Sequence, residues 1–249
     1  MYTKKQLTNI ISFDLETASG SKNLATLKKE NPRLGDLWDK RCEYLRNKHN
    51  DNKELTNDEI YQEKSGLQAE YGKIVCISIA YLRYNESNVP SIKSKSFTSE
   101  DEKELLNNFF AFLKSAKDKL PDSVFAGHNI LEFDIPFLFK RALINGLQVP
   151  DQFNMNGKKP WEINIIDTIK IFANGAWKEG YTPLSTLATI LGLPTPKDDI
   201  DGSDVSRVFW EEKDLNRISK YCEKDVFTVI NILIKFAGFE PAKDFISVE

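Results

Sequence analysis

The chain has 249 residues, of which 41% are hydrophobic, so it is long enough for one large domain or two small ones with an ordinary core. Its 34 basic and 37 acidic residues give a net charge of -3. This balance excludes a globally basic nucleic-acid-binding protein, and any such binding must use a local patch.

Predicted strands and helices alternate along most of the chain. Apolar and β-branched runs predict strands at 8–16, 73–84, around 96–97, 124–126 and 164–166. Helical periodicity predicts helices at 99–118, from about 137 to 146, at 183–191, at 211–219 and at 220–237. Ser99 and Glu102 form a candidate capping box, and Pro183 is expected at the first position of its helix. The pattern indicates an α/β fold, which we treat as one domain over residues 1–249.

Residues 21–72 do not fit this core. Several side chains there follow helical spacing, namely Leu34, Leu37, Trp38, Arg41 and Leu45. Thr56 and Glu59 form a possible capping box for a further helix. We predict a helical insertion after the first strand. Its role stays open between a solvated decoration and a substrate-gripping element, which is suggested by the basic residues Lys22, Lys28, Lys29 and Arg33 directly after the first strand.

The cysteines and the N-terminal segment indicate a reducing compartment. Cys42, Cys76 and Cys222 are widely scattered and form neither a CxxC pair nor a zinc-finger spacing, which is typical of free thiols. The apolar run near the N-terminus is too short for a signal peptide, and no stretch approaches the roughly 20 apolar residues of a membrane span. We therefore expect a cytoplasmic protein with no membrane partner.

Four carboxylates in three segments carry the functional prediction. Asp14 and Glu16 alternate by two on the first strand, so they share a face and repel each other unless a cation lies between them. Asp134 follows a later strand, and Asp225 lies on the last helix. Hard divalent cations prefer such oxygen ligands, and two ions about 3.5–4 Å apart can hold both oxygens of a phosphodiester cleavage. The set therefore predicts a nuclease that uses two Mg²⁺ or Mn²⁺ ions.

Neighbouring residues allow ordinary as well as functional interpretations. Tyr221 precedes Asp225 by four residues and shares its helix face; its phenol is neutral at pH 7, so it would orient a water rather than take its proton. His128 could be a base or a ligand, but a single histidine in a turn is more often only hydrogen-bonded, and we favour that interpretation. Asp134 alone could equally be a helix N-cap ahead of Pro136.

Together these motifs resemble a known family. D-x-E on the first strand, N-x3-F-D after a later strand and Y-x3-D on a late helix resemble the three motifs of the DnaQ-like, DEDD-type 3′→5′ exonucleases. The y-subtype is implied, because Tyr221 stands where the h-subtype has its histidine. The resemblance covers about residues 8–237, and the segments GSDVSRVF and ISKYCEKDVFTVINIL look most like the proofreading domain of family B DNA polymerases, here free-standing. It implies a ribonuclease H-like fold with a mixed five-stranded sheet flanked by helices.

The resemblance also implies roles for the site residues. Asp14, Glu16 and Asp225 would hold the catalytic metal with the scissile phosphate. Asp14 would bridge to the second metal, which Asp134 would hold mostly through water, and Tyr221 would position the attacking water. Contacts to the substrate are implied for Leu15, Thr17, Asn129 and Phe133.

The expected activity is therefore a two-metal-dependent 3′→5′ exonuclease acting on single-stranded DNA. An exoribonuclease stays open as an alternative, because the same chemistry serves both polymers and the sequence does not reveal the surroundings of a 2′-OH. A non-catalytic nucleic-acid-binding protein on the same fold is another alternative, which the intact site residues argue against. A metal-dependent phosphatase is a further one.

Three other segments are interpreted as ordinary structure. The acidic run at 198–204 fails the EF-hand template and is predicted to be a turn. Asp167 is predicted to cap the helix that follows it. Lys158, Lys159 and Trp161 could grip a single strand, but a solvated loop is the favoured interpretation.

Overall fold

The sheet is mixed and has β1 near its centre. A computed structural model describes residues 2–48, 53–86, 89–117, 122–175, 181–195, 199–243 and 245–248. In these ranges six strands form one sheet in the order β5-β4-β1-β2-β3-β6: β1 (Ile10–Ser19), β2 (Gly72–Tyr84), β3 (Pro90–Thr98), β4 (Val124–Gly127), β5 (Ile165–Asp167) and β6 (Phe245–Ser247). β1 pairs antiparallel with β2 and parallel with β4.

The predicted α/β architecture is confirmed, but the predicted strand count of five is low by one. The additional strand, β6, pairs in parallel with β3 at the edge of the sheet. It has three residues, two of them exposed, so it lacks the buried apolar run by which the other strands were recognised.

Ten α-helices accompany the described strands: α1 (Lys4–Leu7), α2 (Leu24–Glu30), α3 (Pro32–Lys48), α4 (Asn57–Lys64), α5 (Glu102–Lys117), α6 (Asp134–Ile144), α7 (Thr168–Ala173), α8 (Leu184–Ile190), α9 (Val205–Arg207) and α10 (Leu215–Phe236). Within the described ranges, we find no helix that combines the length and the apolar character needed to cross a membrane.

The alternation of β1 divides the core between its two faces. Ile11, Phe13 and Leu15 belong to an apolar cluster that also contains buried residues of α5 and α6. Ala18, two residues after Glu16, belongs to a second cluster with Tyr221 and Cys222 of α10. Because side chains alternate along a strand, the face that carries Asp14 and Glu16 is the one covered by α10.

The predicted helical insertion is present and has its own small core. Its helices α2, α3 and α4 bury a cluster around Trp38, whose indole N–H donates to the carbonyl of Asn57 at 3.2 Å. The capping box of Thr56 and Glu59 is present, as predicted. A 3₁₀ turn, Ser65–Leu67, ends the insertion, and its Gly66 lies against the backbone of Ala18 and Ser19 in β1.

The predicted starts of two helices were wrong. Asp101, rather than Ser99, accepts the first backbone N–H groups of α5, while Glu102 turns inward to the N–H of Ile74 at 2.7 Å. Pro183 is the N-cap of α8 and not its first residue, and Gly192 follows the helix in a left-handed conformation.

The two predicted C-terminal helices are a single helix, α10. The polar residues Ser219 and Lys220 interrupt the apolar pattern in the sequence, but they lie on the outer face of a continuous helix. The residues just before it instead form a π-helical turn, Val208–Glu212. Asp214 caps α10 by accepting the N–H of Arg217.

Candidate active site

Asp14 and Glu16 lie together beneath α10, as their alternation on β1 predicts. One ligand atom from each, together with the sulfur of Cys222, forms a group in which all three atoms lie within 4.8 Å of one another. Glu16 is only 8% exposed. A register shift between Glu16 and Thr17 in the pairing of β1 with β2 marks an irregularity beside this group, and bulges of this kind re-aim side chains near sites.

Asp134 is held beside this pair by the backbone of β1. It is the first residue of α6 and is 4% exposed. Its Oδ1 accepts the backbone N–H of Leu15 at 3.2 Å. The N-cap position is Phe133, so the alternative of Asp134 as an N-cap is wrong: the carboxylate reaches across to β1 instead of capping its own helix.

Tyr221 and Asp225 complete the group from α10. Both are largely buried, at 8% and 9% exposure, and both line the same cleft as Asp14 and Asp134. Burial raises the pKa of the Tyr221 phenol well above its ordinary value, and the charges of Glu16 and Asp225 raise it further. The phenol therefore stays protonated and can donate a hydrogen bond, but it cannot serve as a base near neutral pH.

The carboxylates raise one another's proton affinity. Burial raises the pKa of Asp14 and of Glu16 well above the ordinary range, and repulsion from neighbouring carboxylates adds to it. Burial also raises the pKa of Asp134 to about 7, although the N–H of Leu15 opposes the shift. Without a cation, part of this group is therefore expected to hold protons at neutral pH.

The side chains that meet in the cleft are suited to bind divalent metal ions. The cleft has a volume of about 410 Å³, and among its described lining residues none is Lys or Arg. Converging carboxylate oxygens without a positive side chain are the ligands that Mg²⁺ and Mn²⁺ prefer. Asp14, Glu16, Asp134 and Asp225 are the residues that would hold them.

His128 has a structural role, as the favoured interpretation held. Its Nδ1 lies 2.8 Å from the Thr168 hydroxyl, and its Nε2 lies 2.8 Å from the carbonyl of Thr182. Burial lowers its pKa, so the ring is neutral at pH 7 and both nitrogens are engaged with the protein. The ring thus fixes the segment ahead of α8 at the cleft.

Asp167 does more than cap α7. It accepts the N–H of Ile169, as predicted, and also those of Asn129 at 3.1 Å and Leu131 at 3.2 Å. These bonds hold the turn in which Asn129 has a left-handed φ of 64°. The sequence showed the cap but not the long-range bonds, which join residues almost forty positions apart.

The substrate-binding residues implied by the resemblance differ in their position relative to the cleft. Asn129 and Phe133 line the cleft. Leu15 also borders it, but its side chain is 4% exposed and belongs to the core. Thr17 is not among the described residues that line the cleft.

Two exposed apolar side chains at the cleft were missed by the sequence reasoning. Leu67, from the end of the insertion, is 59% exposed, and Tyr181, beside His128, is 63% exposed. Neither belongs to a recognisable motif, so no local signal could have placed them there. The insertion therefore contributes to the cleft through Leu67, whereas its basic residues Lys22, Lys28, Lys29 and Arg33 do not line it.

Of the other predicted loops, the turn at 198–204 reaches the cleft through Gly202, whereas the loop that contains Trp161 does not line it. Asp201 and Asp204 form the predicted turn, in which the Asp204 N–H donates to the Asp201 carbonyl at 2.9 Å, while Asp198 is outside the described residues. Trp161 is 78% exposed with Lys159 over its ring, and neither lines the cleft.

Comparison with known proteins supports this fold. The chain resembles the family B DNA polymerase of the hyperthermophilic archaeon Pyrobaculum calidifontis, with 15% sequence identity and a TM-score of 0.51. The match covers 91% of this chain and 24% of the polymerase, so the chain spans about a quarter of that protein. No curated protein matches it by sequence.

A family model described as a predicted 3′-5′ exonuclease related to the exonuclease domain of PolB matches residues 65–243. The matched segment begins after β1 and includes Asp134, Tyr221 and Asp225. It covers more than half of the chain. The chain therefore belongs to this family of predicted 3′-5′ exonucleases related to the exonuclease domain of PolB.

Proposed function

We propose that the protein removes nucleotides from the 3′ end of single-stranded DNA in a reaction that depends on two Mg²⁺ or Mn²⁺ ions. The observation that carries the proposal is the convergence of Asp14, Asp134 and Asp225 in a cleft whose described lining has no Lys or Arg, with Glu16 buried beside Asp14. Such a cleft repels a phosphodiester on its own and attracts one only after divalent cations reverse its charge.

Each site residue has a defined task in this proposal. The bound ions would supply the positive charge that stabilises the transition state and would acidify the attacking water. Asp14, Glu16, Asp134 and Asp225 fix the positions of those ions. Tyr221, protonated and one helical turn before Asp225, would orient the attacking water by a hydrogen bond.

The walls of the cleft favour a single strand over a duplex. Leu67 and Tyr181 expose apolar surface to the cleft, and unstacked bases can pack on such side chains. The relation to the exonuclease domain of PolB favours DNA over RNA. We accordingly propose that the terminal base of the DNA strand packs between Leu67 and Tyr181.

The test is digestion of 5′-labelled single-stranded DNA and RNA oligonucleotides with Mg²⁺, Mn²⁺ or EDTA. We expect a metal-dependent ladder that shortens from the 3′ end, is faster on DNA and is absent with Asp14→Ala. A faster ladder on RNA would replace DNA by RNA as the substrate. Absence of a ladder on both polymers would contradict the proposed activity and favour a non-catalytic binding protein.

A further inference from the structure

A thiol lies among the carboxylates of the cleft. Cys222 follows Tyr221 on α10, and its Sγ is 3.3 Å from Oδ2 of Asp14, to which it donates a hydrogen bond. The thiol is fully buried. The ligand atoms of Asp14, Glu16 and Cys222 are the three that lie within 4.8 Å of one another, so β1 and α10 together present two oxygens and one sulfur to the same point.

The spacing of these atoms suits a tetrahedral metal ion. Zn²⁺ binds sulfur at about 2.3 Å and carboxylate oxygen at about 2.0–2.2 Å, so two such ligands at a tetrahedral angle lie about 3.6 Å apart. The observed separation between Asp14 and Cys222 is 3.3 Å. A single ion could therefore bind both atoms after a small side-chain adjustment.

A second sulfur lies near this group of ligand atoms. Cys76 of β2 is the cross-strand partner of Glu16, so the two side chains share a face of the sheet. Cys76 and Cys222 also belong to the same buried cluster. An ion held by Asp14, Glu16 and Cys222 would thus have a second thiol close by.

We propose that Asp14, Glu16 and Cys222 form a binding site for a thiophilic divalent ion, Zn²⁺ or Cd²⁺, in which the Cys222 sulfur is a direct ligand. The thiol proton passes to solvent when the sulfur coordinates. Mg²⁺ takes oxygen ligands in octahedral geometry and does not bind the sulfur. Zn²⁺ accepts one sulfur and two oxygens, which leaves its fourth coordination position open. The site therefore distinguishes the two classes of metal by ligand type.

One consequence concerns regulation. Asp14 and Glu16 serve both this site and the proposed Mg²⁺ site, so occupation by Zn²⁺ excludes productive metal binding and inhibits the enzyme. This consequence rests on the proposed function, whereas binding of the ion through sulfur does not.

The test of binding uses Co²⁺ as a spectroscopic substitute for Zn²⁺. The full chain, freed of metal by a chelator that is then removed, is titrated with Co²⁺. We expect an ultraviolet sulfur-to-cobalt charge-transfer band and the visible bands of a tetrahedral ion, both of which disappear when Zn²⁺ is added.

Cys42 supplies the matched control, because it is an equally buried thiol in the separate core of the insertion. Cys42→Ser is expected to keep the charge-transfer band and Cys222→Ser to lose it. A folded wild-type protein without the band, or a folded Cys222→Ser variant that retains it, would overturn the proposal. X-ray absorption on zinc-loaded wild-type protein is a second measurement, in which the absence of a sulfur at about 2.3 Å from the zinc would also overturn the proposal.

Inhibition is measured separately in the Mg²⁺-dependent digestion assay. Half-inhibition of Cys222→Ser is expected to require at least about tenfold more Zn²⁺ than that of wild type or Cys42→Ser, because even loss of an outer-shell partner weakens metal binding about 10–100-fold. Equal sensitivity of all three would overturn the regulatory consequence. An inactive wild-type protein that still shows the cobalt band would overturn the proposed activity and leave the metal site standing.

Discussion

Glu102 and the carboxylates of the cleft differ in the source of the positive charge that balances them. Glu102, at the start of α5, is 6% exposed and forms an ion pair with Arg141 of α6. It also accepts hydrogen bonds from the N–H of Ile74 and from the side chain of Asn145. In the cleft, by contrast, the carboxylates converge without a Lys or Arg among the described lining residues.

The comparison separates a structural charge from a functional one. Arg141 also donates to the carbonyl of Ala69, so the pair ties the end of the insertion to the core and is satisfied within the chain. In the cleft, burial with mutual repulsion raises the pKa values of the acids. A cluster of buried acids with raised pKa values is the expected state of a site for an external cation.

Removing a carboxylate from the cleft gives the largest expected effect. Asp225→Ala should lower the exonuclease rate by at least about a thousandfold, which corresponds to about 4 kcal/mol of lost transition-state stabilisation. The measurement is the initial rate of digestion in Mg²⁺. The exposed Asp36 of α3 provides the control, and Asp36→Asn should retain the wild-type rate. A comparable loss in both variants would contradict the assignment.

Breaking the ion pair between Glu102 and Arg141 should lower the stability of the protein rather than act on the exonuclease rate. Arg141→Met leaves Glu102 as an uncompensated buried charge, which typically destabilises by about 3–5 kcal/mol. In a chain of this size the thermal midpoint should fall by about 2–4 °C for each kcal/mol. Thermal unfolding followed by circular dichroism measures it. An unchanged midpoint would show that the Glu102–Arg141 pair contributes nothing to stability and would contradict its structural role.

Neutralising Asp134 should raise the stability of the protein, whereas breaking the Glu102–Arg141 pair should lower it. Its pKa is raised from 3.8 to about 7, so its contribution to stability is fully present below pH 3.8 and is lost as the pH rises to about 7. Asp134→Asn cannot ionise and can keep the bond from Leu15. In the presence of a chelator it should raise the thermal midpoint at pH 8 by at least about 2 °C, the shift expected for about 1 kcal/mol.

The gain of Asp134→Asn over wild type should vanish near pH 4, where both side chains are uncharged. Glu102→Gln, which removes the same charge from the paired group, should destabilise the protein at pH 8. Thermal midpoints of the three proteins across this pH range test both statements. A lower midpoint for Asp134→Asn at pH 8 would mean that the cleft is not a region of electrostatic strain.

Removing the phenol of Tyr221 gives the smallest effect. Tyr221→Phe loses one hydrogen bond to the attacking water, worth about 1 kcal/mol, so the rate should fall by about tenfold at most. Steady-state digestion rates in Mg²⁺ measure it beside Asp225→Ala. A loss as large as that of Asp225→Ala would contradict the orienting role.

Local sequence patterns predicted what local physics determines. The spacing of Asp14 and Glu16 on a strand, and of Tyr221 and Asp225 on a helix, follows from backbone periodicity alone, so each pair could be placed on one face in advance. The helical insertion was recognisable because its apolar residues repeat at helical spacing. The α/β class followed from the order of the elements, whereas the mixed sheet was implied by the resemblance to the DnaQ-like exonucleases.

Contacts between distant segments were not available from these patterns. Glu102 looked like a capping residue because the sequence gives no sign of Arg141 across the core. Leu67 gave no indication that the end of the insertion reaches the cleft, and the scattered cysteines gave none that Cys222 lies against Asp14. Such relations depend on how the elements pack and appear only with the tertiary fold.

The most direct measurement is calorimetric titration of the metal-free protein with Mn²⁺ at neutral pH. The wild-type chain and Asp36→Asn should both take up Mn²⁺, while Asp14→Asn should bind it at least about tenfold more weakly, because it loses a direct ligand. Absence of Mn²⁺ uptake by the folded wild-type chain, or equal uptake by Asp14→Asn, would contradict the assignment of the cleft as a divalent-metal site.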